Sequence, residues 1–371
     1  MESPDEQLMR VTCYMNMPSH YQATFYRELA KLCDLETIYS GRVPEERQAL
    51  GWESDYDGYH SSTYKDLGIF EKFIPASGSF HLLAGLPGGL ANLVRAISAS
   101  SQVQMATQSE MPSPETATTQ WRALARVYLH LLRMKRVPLL GIGKEIRDLA
   151  RLTRFPDKLV FPFAYFPNPS LDFAADFLGP IIYSGQLVFR KGVDILVEAF
   201  SRSTTAKVRE LVLIGDGDQR PALEQLTSRK GIEKRVHFLG AMKTFEALRT
   251  IASGSCLVLP SRFDGWGVVV NEAILLGVPV IVSNRCGSAE LVEHGRCGFV
   301  FGSESVEGLR SSLDGLFESR QLWKEKSERA LAYAPRLTAK AGAEYFSTIV
   351  RHVTSNYSGD KPLAPWLNHA S

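Results

Sequence analysis

The sequence predicts an α/β protein built from two doubly wound domains that face each other across a cleft. Three observations carry that expectation. Short apolar runs alternate with turns and amphipathic stretches along most of the 371 residues, which is the rhythm of strands joined by helical crossovers into parallel sheets. That length suits two domains of ordinary size. A break at 155–169, with four prolines and several aromatics, interrupts the rhythm and reads as the connection between the domains, because proline removes a backbone donor and restricts its neighbour. The expected division is 1–165 and 166–344, with a C-terminal helix at 345–371 rejoining the first domain.

In the N-terminal half, residues 10–15 read as a strand, 21–33 as a helix and 35–39 as a second strand. The stretch 43–75 is rich in Gly, Ser, Tyr and Asp and reads as loop. Residues 81–85 follow as a strand, then a turn with Gly88 and Gly89, a helix over 90–99, and extended chain over 102–107. The C-terminal half is clearer. Strands are expected at 181–184, 210–214, 235–239, 256–260 and 278–283, with helices at 193–200, 219–228, 245–252 and 268–276. The near-continuous Val and Ile of 278–283 mark a strand buried on both faces. A long helix is expected over 336–357. In such folds ligands bind beyond the C-terminal ends of the strands.

Composition narrows the function classes. An apolar fraction of 44% with 22% charged residues is that of a globular chain with a sizeable core. A net charge of +2 gives no electrostatic footprint for nucleic acid. Five scattered cysteines, Cys13, Cys33, Cys256, Cys286 and Cys297, contain no CxxC pair and suggest neither a disulfide framework nor a zinc site. No apolar run approaches the ~18 residues of a membrane span. Glu2, Asp5 and Glu6 stand where a signal peptide would be basic, so the protein reads as cytoplasmic.

The densest chemistry is the string SRFDGWGVVVNE at 261–272. A buried strand enters a turn holding Gly265, Trp266 and Gly267 and passes directly into a helix through Val268 and Val269. Unpaired N–H groups and the helix dipole make such a start receptive to phosphate, and glycine permits close backbone approach. Asp264 and Glu272 straddle the turn; the bland alternative is a helix cap and a solvated acid. The second string, SGQLVFRKG at 184–192, places Gly185, Gln186, Arg190 and Lys191 at a strand end. Adjacent cations there can neutralise a diphosphate, or can be a solvated basic loop.

With Gly215 in GDG at 215–217, Gly240 in VHFLG at 236–240, EAILLGVPVI at 272–281 and the late ELVEHGRCGF at 290–299, this ordered set resembles the donor domain of glycosyltransferase family 4, retaining enzymes of the two-Rossmann GT-B architecture. The match covers about 181–301; in the first half, PSHY at 18–21 with FYRELA at 25–30 is similar to the first strand–loop–helix of such enzymes. The resemblance implies that Arg190 and Lys191 bind a donor diphosphate, that Glu272 holds the ribose, and that the backbone around Gly267, Val268 and Val269 cradles the phosphates. It places Asp264 at the position of the family's first, sugar-contacting glutamate, and it implies a retaining hexosyltransferase. Two departures stand out. The first acid is Asp rather than Glu, and Gln186 replaces the usual arginine. Cations where a metal would sit suggest transfer without metal or other cofactor.

Acceptor-side candidates are His20, Tyr21, Ser109 and Glu110, each of which equally suits a structural or surface role. Between 121 and 137 there is no acidic residue: Arg122, Arg126, His130, Arg133 and Arg136 share a helical face beside an apolar strip. Such a helix suits either an anionic membrane surface or an ordinary domain exterior. The expected partners are therefore a nucleotide-sugar donor, with UDP preferred over GDP, and a glycan or lipid-linked saccharide acceptor of an envelope polysaccharide. A nucleotide-sugar epimerase on the same architecture and a non-catalytic nucleotide-sugar-binding scaffold are the alternatives. A dinucleotide-dependent oxidoreductase fits less, since the loop after the first strand lacks the G-x-G-x-x-G glycines. Oligomeric state is left open.

Overall fold

The computed structural model describes residues 9–39, 41–49, 60–63, 79–84, 104–111, 137–169 and 175–367. Gly88, Gly89, the expected helix at 90–99 and all but the last residue of the basic stretch 121–137 lie outside them. Seven parallel strands form the first sheet: β1 (Arg10–Met15), β2 (Asp34–Tyr39), β3 (His60–Thr63), β4 (Phe80–Ala84), β5 (Gln104–Glu110), β6 (Leu139–Ile142) and β7 (Val160–Phe163). Six form the second: β8 (Ile181–Ser184), β9 (Leu211–Ile214), β10 (Val236–Gly240), β11 (Cys256–Leu259), β12 (Val280–Ser283) and β13 (Gly298–Phe301). The two doubly wound sheets are those expected of the GT-B architecture.

Strand order fixes where a ligand can sit. The first sheet runs β3-β2-β1-β4-β5-β6-β7 and the second β10-β9-β8-β11-β12-β13. Sequence order reverses between β1 and β4 and between β8 and β11, and crevices open at such switch points. His20 opens the helix His20–Leu29 beyond β1, while the basic string follows β8 and the acid turn follows β11.

Strands buried on both faces matched their apolar pattern: β8, β9, β11 and β12 lie within a residue or two of expectation. Three readings are corrected. The break at 155–169 is not only a connection, because it contains β7, which among the described residues pairs only with β6 and so tolerates Pro162 on a sheet edge. The stretch read as loop contains β3, an edge strand of four polar residues with no alternation to betray it. The long terminal helix begins later, at Ala339–Thr354, where Thr338 caps it by accepting from the Ala341 N–H; a 3-10 turn, Ala334–Leu337, precedes it. Several elements have no counterpart in the expectation: β6, the helix Lys144–Leu152, β13, and the helices Ala289–Gly295, Val306–Leu316 and Arg320–Tyr333.

That terminal helix packs on His20–Leu29 of the first domain, with Phe346 edge-on to Phe25 and Phe163 at 6.1 and 6.2 Å. The chain then carries Trp366 into the same aromatic cluster, 5.8 Å from Phe166, where Tyr333 of the helix Arg320–Tyr333 donates to its carbonyl at 2.8 Å. Gly342 permits this convergence, since a Cβ there would lie 2.3 Å from the Phe166 ring. Gly342→Ala is expected to lower stability by about 1–3 kcal/mol through overpacking, read as a lower urea midpoint; an unchanged midpoint would show that Phe166 can move aside.

Candidate functional site

The loops beyond β8 and β11 are pressed together by their backbones. A Cβ on Gly192, which has φ +65°, would lie 2.3 Å from the Pro260 carbonyl, so glycine is required there on two counts. Arg262 ties the loops further. Its N–H donates to the Arg190 carbonyl at 2.8 Å, its guanidinium pairs with Asp194 at 2.6 and 2.8 Å, and it stacks 4.0 Å over Phe189. In the crevice so formed, Lys191 Nζ makes a charge-assisted bond to Asp264 Oδ2, with the side chains only 13% and 12% exposed. The sequence expected both residues at one site, and the structure joins them directly. Asp264 is not a helix cap, because Val268 occupies that position with no side-chain bond.

The acid turn is held on its far side by the β12 loop. Asp264 N–H donates to the Arg285 carbonyl, Gly287 N–H to the Asp264 carbonyl, and Ser288 N–H to the Trp266 carbonyl, at 2.9–3.0 Å. Trp266 is buried, and its indole donates to Asn271 Oδ1 at 2.8 Å. Gly267 has φ +89°, and a Cβ there would meet Leu259 at 2.6 Å and the Ser288 hydroxyl at 3.2 Å. That hydroxyl is buried and has no hydrogen-bond partner among the described residues. A buried donor left unsatisfied costs free energy, so a polar occupant at the turn would be welcome.

Glu272 lies in the helix Val269–Leu275 and is 8% exposed; burial pushes its carboxyl up to about 7. Gly185, Gly215 and Gly240 bring the ends of β8, β9 and β10 together, with Gly215 N–H donating to the Gly240 carbonyl at 2.7 Å. Gln186 is exposed, and its carbonyl accepts from the Tyr183 hydroxyl at 2.7 Å. Asp216 and Asp218 have Asp-x-Asp spacing, and Asp216 is engaged by Arg220 at 3.2 Å.

From the first domain, Glu110 reaches the same turn. A Cβ on Gly265 would lie 3.1–3.2 Å from its carboxyl group. Glu110 is exposed to the cleft yet walled behind by protein. That enclosure and the facing Asp264 raise its pKa, while the Tyr165 hydroxyl at 3.3 Å, Arg190 and Lys191 lower it. Open access to water leaves this upward push weaker than the one on buried Glu272. Tyr21 stacks edge-on against Tyr165 at 5.1 Å and against His20 at 5.3 Å. His20 is pushed down to about 4 by burial and is neutral at physiological pH. Ser109 is buried with its hydroxyl turned to the Glu110 carbonyl.

Several site residues had no sequence signal. Tyr165 lies in the segment read as a connection, yet its carbonyl accepts from Asn271 at 2.9 Å, linking the first domain to the Trp266 turn. Gly143, Arg147 and Ser288 become neighbours of the turn only through tertiary folding. Among the described residues no cluster of three or more His, Cys, Asp or Glu has metal-binding geometry, and no helix is long and apolar enough to cross a membrane.

The buried Glu272 makes stability depend on pH in a defined direction. An unfolded carboxyl releases its proton near 4.5, whereas the folded one keeps it to about 7. Over that window the native state binds the extra proton, so stability falls as pH rises and stays reduced above it. Glu272→Gln removes this dependence. Its urea midpoint relative to the native chain is expected to increase from about pH 5 to about pH 8; a difference that stays constant with pH would contradict the burial of an ionisable Glu272.

Residues 180–346 match the family model described as glycosyl transferases group 1. An alpha-D-kanosaminyltransferase of Streptomyces kanamyceticus is 27% identical over 175 residues, covering 47% of this chain and 45% of that protein, so the match spans less than half of that relative. Among solved structures, HepE of Anabaena in complex with UDP superposes with a TM-score of 0.70 at 17% identity, covering 94% of this chain and all of the other. WaaG, a glycosyltransferase involved in lipopolysaccharide biosynthesis, superposes at 0.61 and 17% identity, covering 92% and 99%. At those identities the superpositions establish the fold. The basic string, the acid turn and the late Glu290 segment all fall within 180–346, the part of the chain that is similar to the glycosyl transferases group 1 family.

Proposed function

We propose that the protein is a retaining, metal-independent glycosyltransferase that moves a sugar from a nucleotide-diphosphate sugar to a glycan or lipid-linked saccharide. The observation that carries this reading is the buried Lys191–Asp264 pair at the switch point, set against a helix start that no side chain caps. A diphosphate entering the crevice offers Lys191 a stronger anionic partner and frees Asp264 for a sugar hydroxyl. Glu272 takes the ribose, and the Gly267–Val268–Val269 backbone with the orphan Ser288 hydroxyl takes the phosphates. Residues 166–344 are thus the donor side, and 1–165 with 345–371 the acceptor side, where His20, Tyr21 and Glu110 face the incoming hydroxyl and buried Ser109 supports the Glu110 backbone. The UDP held by HepE supports UDP as the donor nucleotide, and WaaG's lipopolysaccharide role supports an envelope acceptor.

In the reaction the bond from the anomeric carbon to the diphosphate breaks as the acceptor oxygen attacks from the same face. The acceptor proton passes to the departing diphosphate, whose growing charge Lys191 and Arg190 stabilise from fixed positions. Fixed cations supply what a metal would otherwise supply, so no cofactor is invoked.

The test is a thermal-shift panel of UDP, GDP, ADP, TDP and their sugars, with and without EDTA, followed by transfer assays on variants. A rise in melting temperature with one nucleotide family that survives EDTA is expected. Lys191→Ala and Glu272→Ala are each expected to lower turnover by about 10²-fold or more while remaining folded. Normal turnover in both variants, or a shift only with NAD(P), would overturn the reading.

A further inference from the structure

The first domain grips the loop that holds Asp264, and it does so through one buried ion pair and a second, more exposed one. The helix Lys144–Leu152 follows β6 and presents Glu145 and Arg147 from its first turn. Arg147 makes a bidentate pair with Glu290, one arm at 3.3 Å to Oε1 and the other to Oε2, and also donates to the Gly141 carbonyl at 3.4 Å. The two side chains are only 10% and 8% exposed. Glu145 pairs with Arg285 at 3.2 Å. Arg285 and Glu290 bracket the β12 loop, the same loop whose Arg285 carbonyl and Gly287 N–H bind both sides of Asp264.

Between these two pairs the backbones touch. A Cβ on Gly143 would lie 3.0 Å from the Gly265 carbonyl and 3.3 Å from Gly287; one on Gly287 would lie 2.2 Å from the Gly265 carbonyl. Three glycines from three loops meet where any side chain would hold the domains apart. A buried ion pair adds little net stability against a hydrophobic substitute, and its best-attested use is to set register. Register is what this location needs. A sub-ångström shift of the first domain would pass through the Arg285–Gly287 backbone to Asp264, and misplacement by about 1 Å can cost on the order of 10²-fold in rate.

We propose that Arg147 is a positioning residue: its pair with Glu290, seconded by Glu145–Arg285, latches the first domain onto the β12 loop and thereby fixes Asp264 opposite Glu110. The proposal rests on the transferase reading for its catalytic consequence and on geometry alone for the latch. Because Lys191, Glu272 and the Gly267 turn belong to the second domain, the latch governs turnover and leaves nucleotide affinity nearly intact.

The test uses the full chain with Arg147→Met, which keeps an apolar stem, Glu290→Gln and the double variant. Each single variant is expected to lose about tenfold or more in kcat with its UDP-induced thermal shift retained, and the double variant to lose no more than the worse single. Small-angle scattering and hydrogen exchange, which need no transfer activity, are expected to show a larger radius of gyration and faster exchange at 262–290 in Arg147→Met. Additive losses in kcat, or scattering and exchange equal to those of the native chain, overturn the latch. Absence of transfer by the native chain from every donor, with the scattering and exchange changes present, overturns the functional reading and leaves the latch standing.

Discussion

A lysine and an aspartate, brought together where two strand-end loops touch backbone to backbone, set the terms for everything around them. Lys191 and Asp264 are separated by 73 positions in sequence and share a crevice that neither could enter alone, since an unpaired buried charge is expensive. The crevice exists because parallel strand order reverses between β8 and β11. It is narrow because Gly192 lets the Pro260 backbone approach. Paired, the two charges neutralise each other; offered a diphosphate, the lysine has a partner of higher charge. The free site is therefore poised rather than blocked.

The same closeness explains the carboxylates. Glu272 is buried in the helix after the turn, and its proton is retained for want of water. Glu110, approaching from the first domain, keeps contact with the solvent of the cleft but faces Asp264. Tyr165 spans the seam, with its ring on Tyr21, its hydroxyl toward Glu110 and its carbonyl held by Asn271. A linker residue thus couples the Tyr21–Glu110 side of the first domain to the indole that shapes the acid turn.

How legible all this was in the sequence follows from burial. Strands such as β11, read CLVL, and β12, read VIVS, are buried on both faces, and continuous apolar runs announce them. Edge strands carry no such pattern: β3 is polar and β7 contains Pro162, so in sequence one reads as loop and the other as connection. The helix Lys144–Leu152 is built of good helix formers with Ile146 and Ala150 on its buried face, a pattern present in the sequence but short enough to pass for part of a loop. Within the site, Lys191, Asp264, Gly267 and Glu272 were legible because each lies in one of two short strings with its own chemical logic. Arg147, Tyr165, Gly143 and Ser288 were not. Their partners lie far away in sequence, 143 positions in the case of Arg147 and Glu290, and only the folded chain makes them neighbours.

Whether the crevice between Lys191 and the Gly267 turn is a diphosphate site can be asked directly by calorimetric titration with UDP and with uridine, in EDTA, on the native chain and on Lys191→Ala. If the account is right, the native chain holds UDP at least about tenfold more tightly than uridine, and most of that difference disappears in Lys191→Ala. Equal affinities for UDP and uridine, or a difference that survives the loss of Lys191, would contradict it.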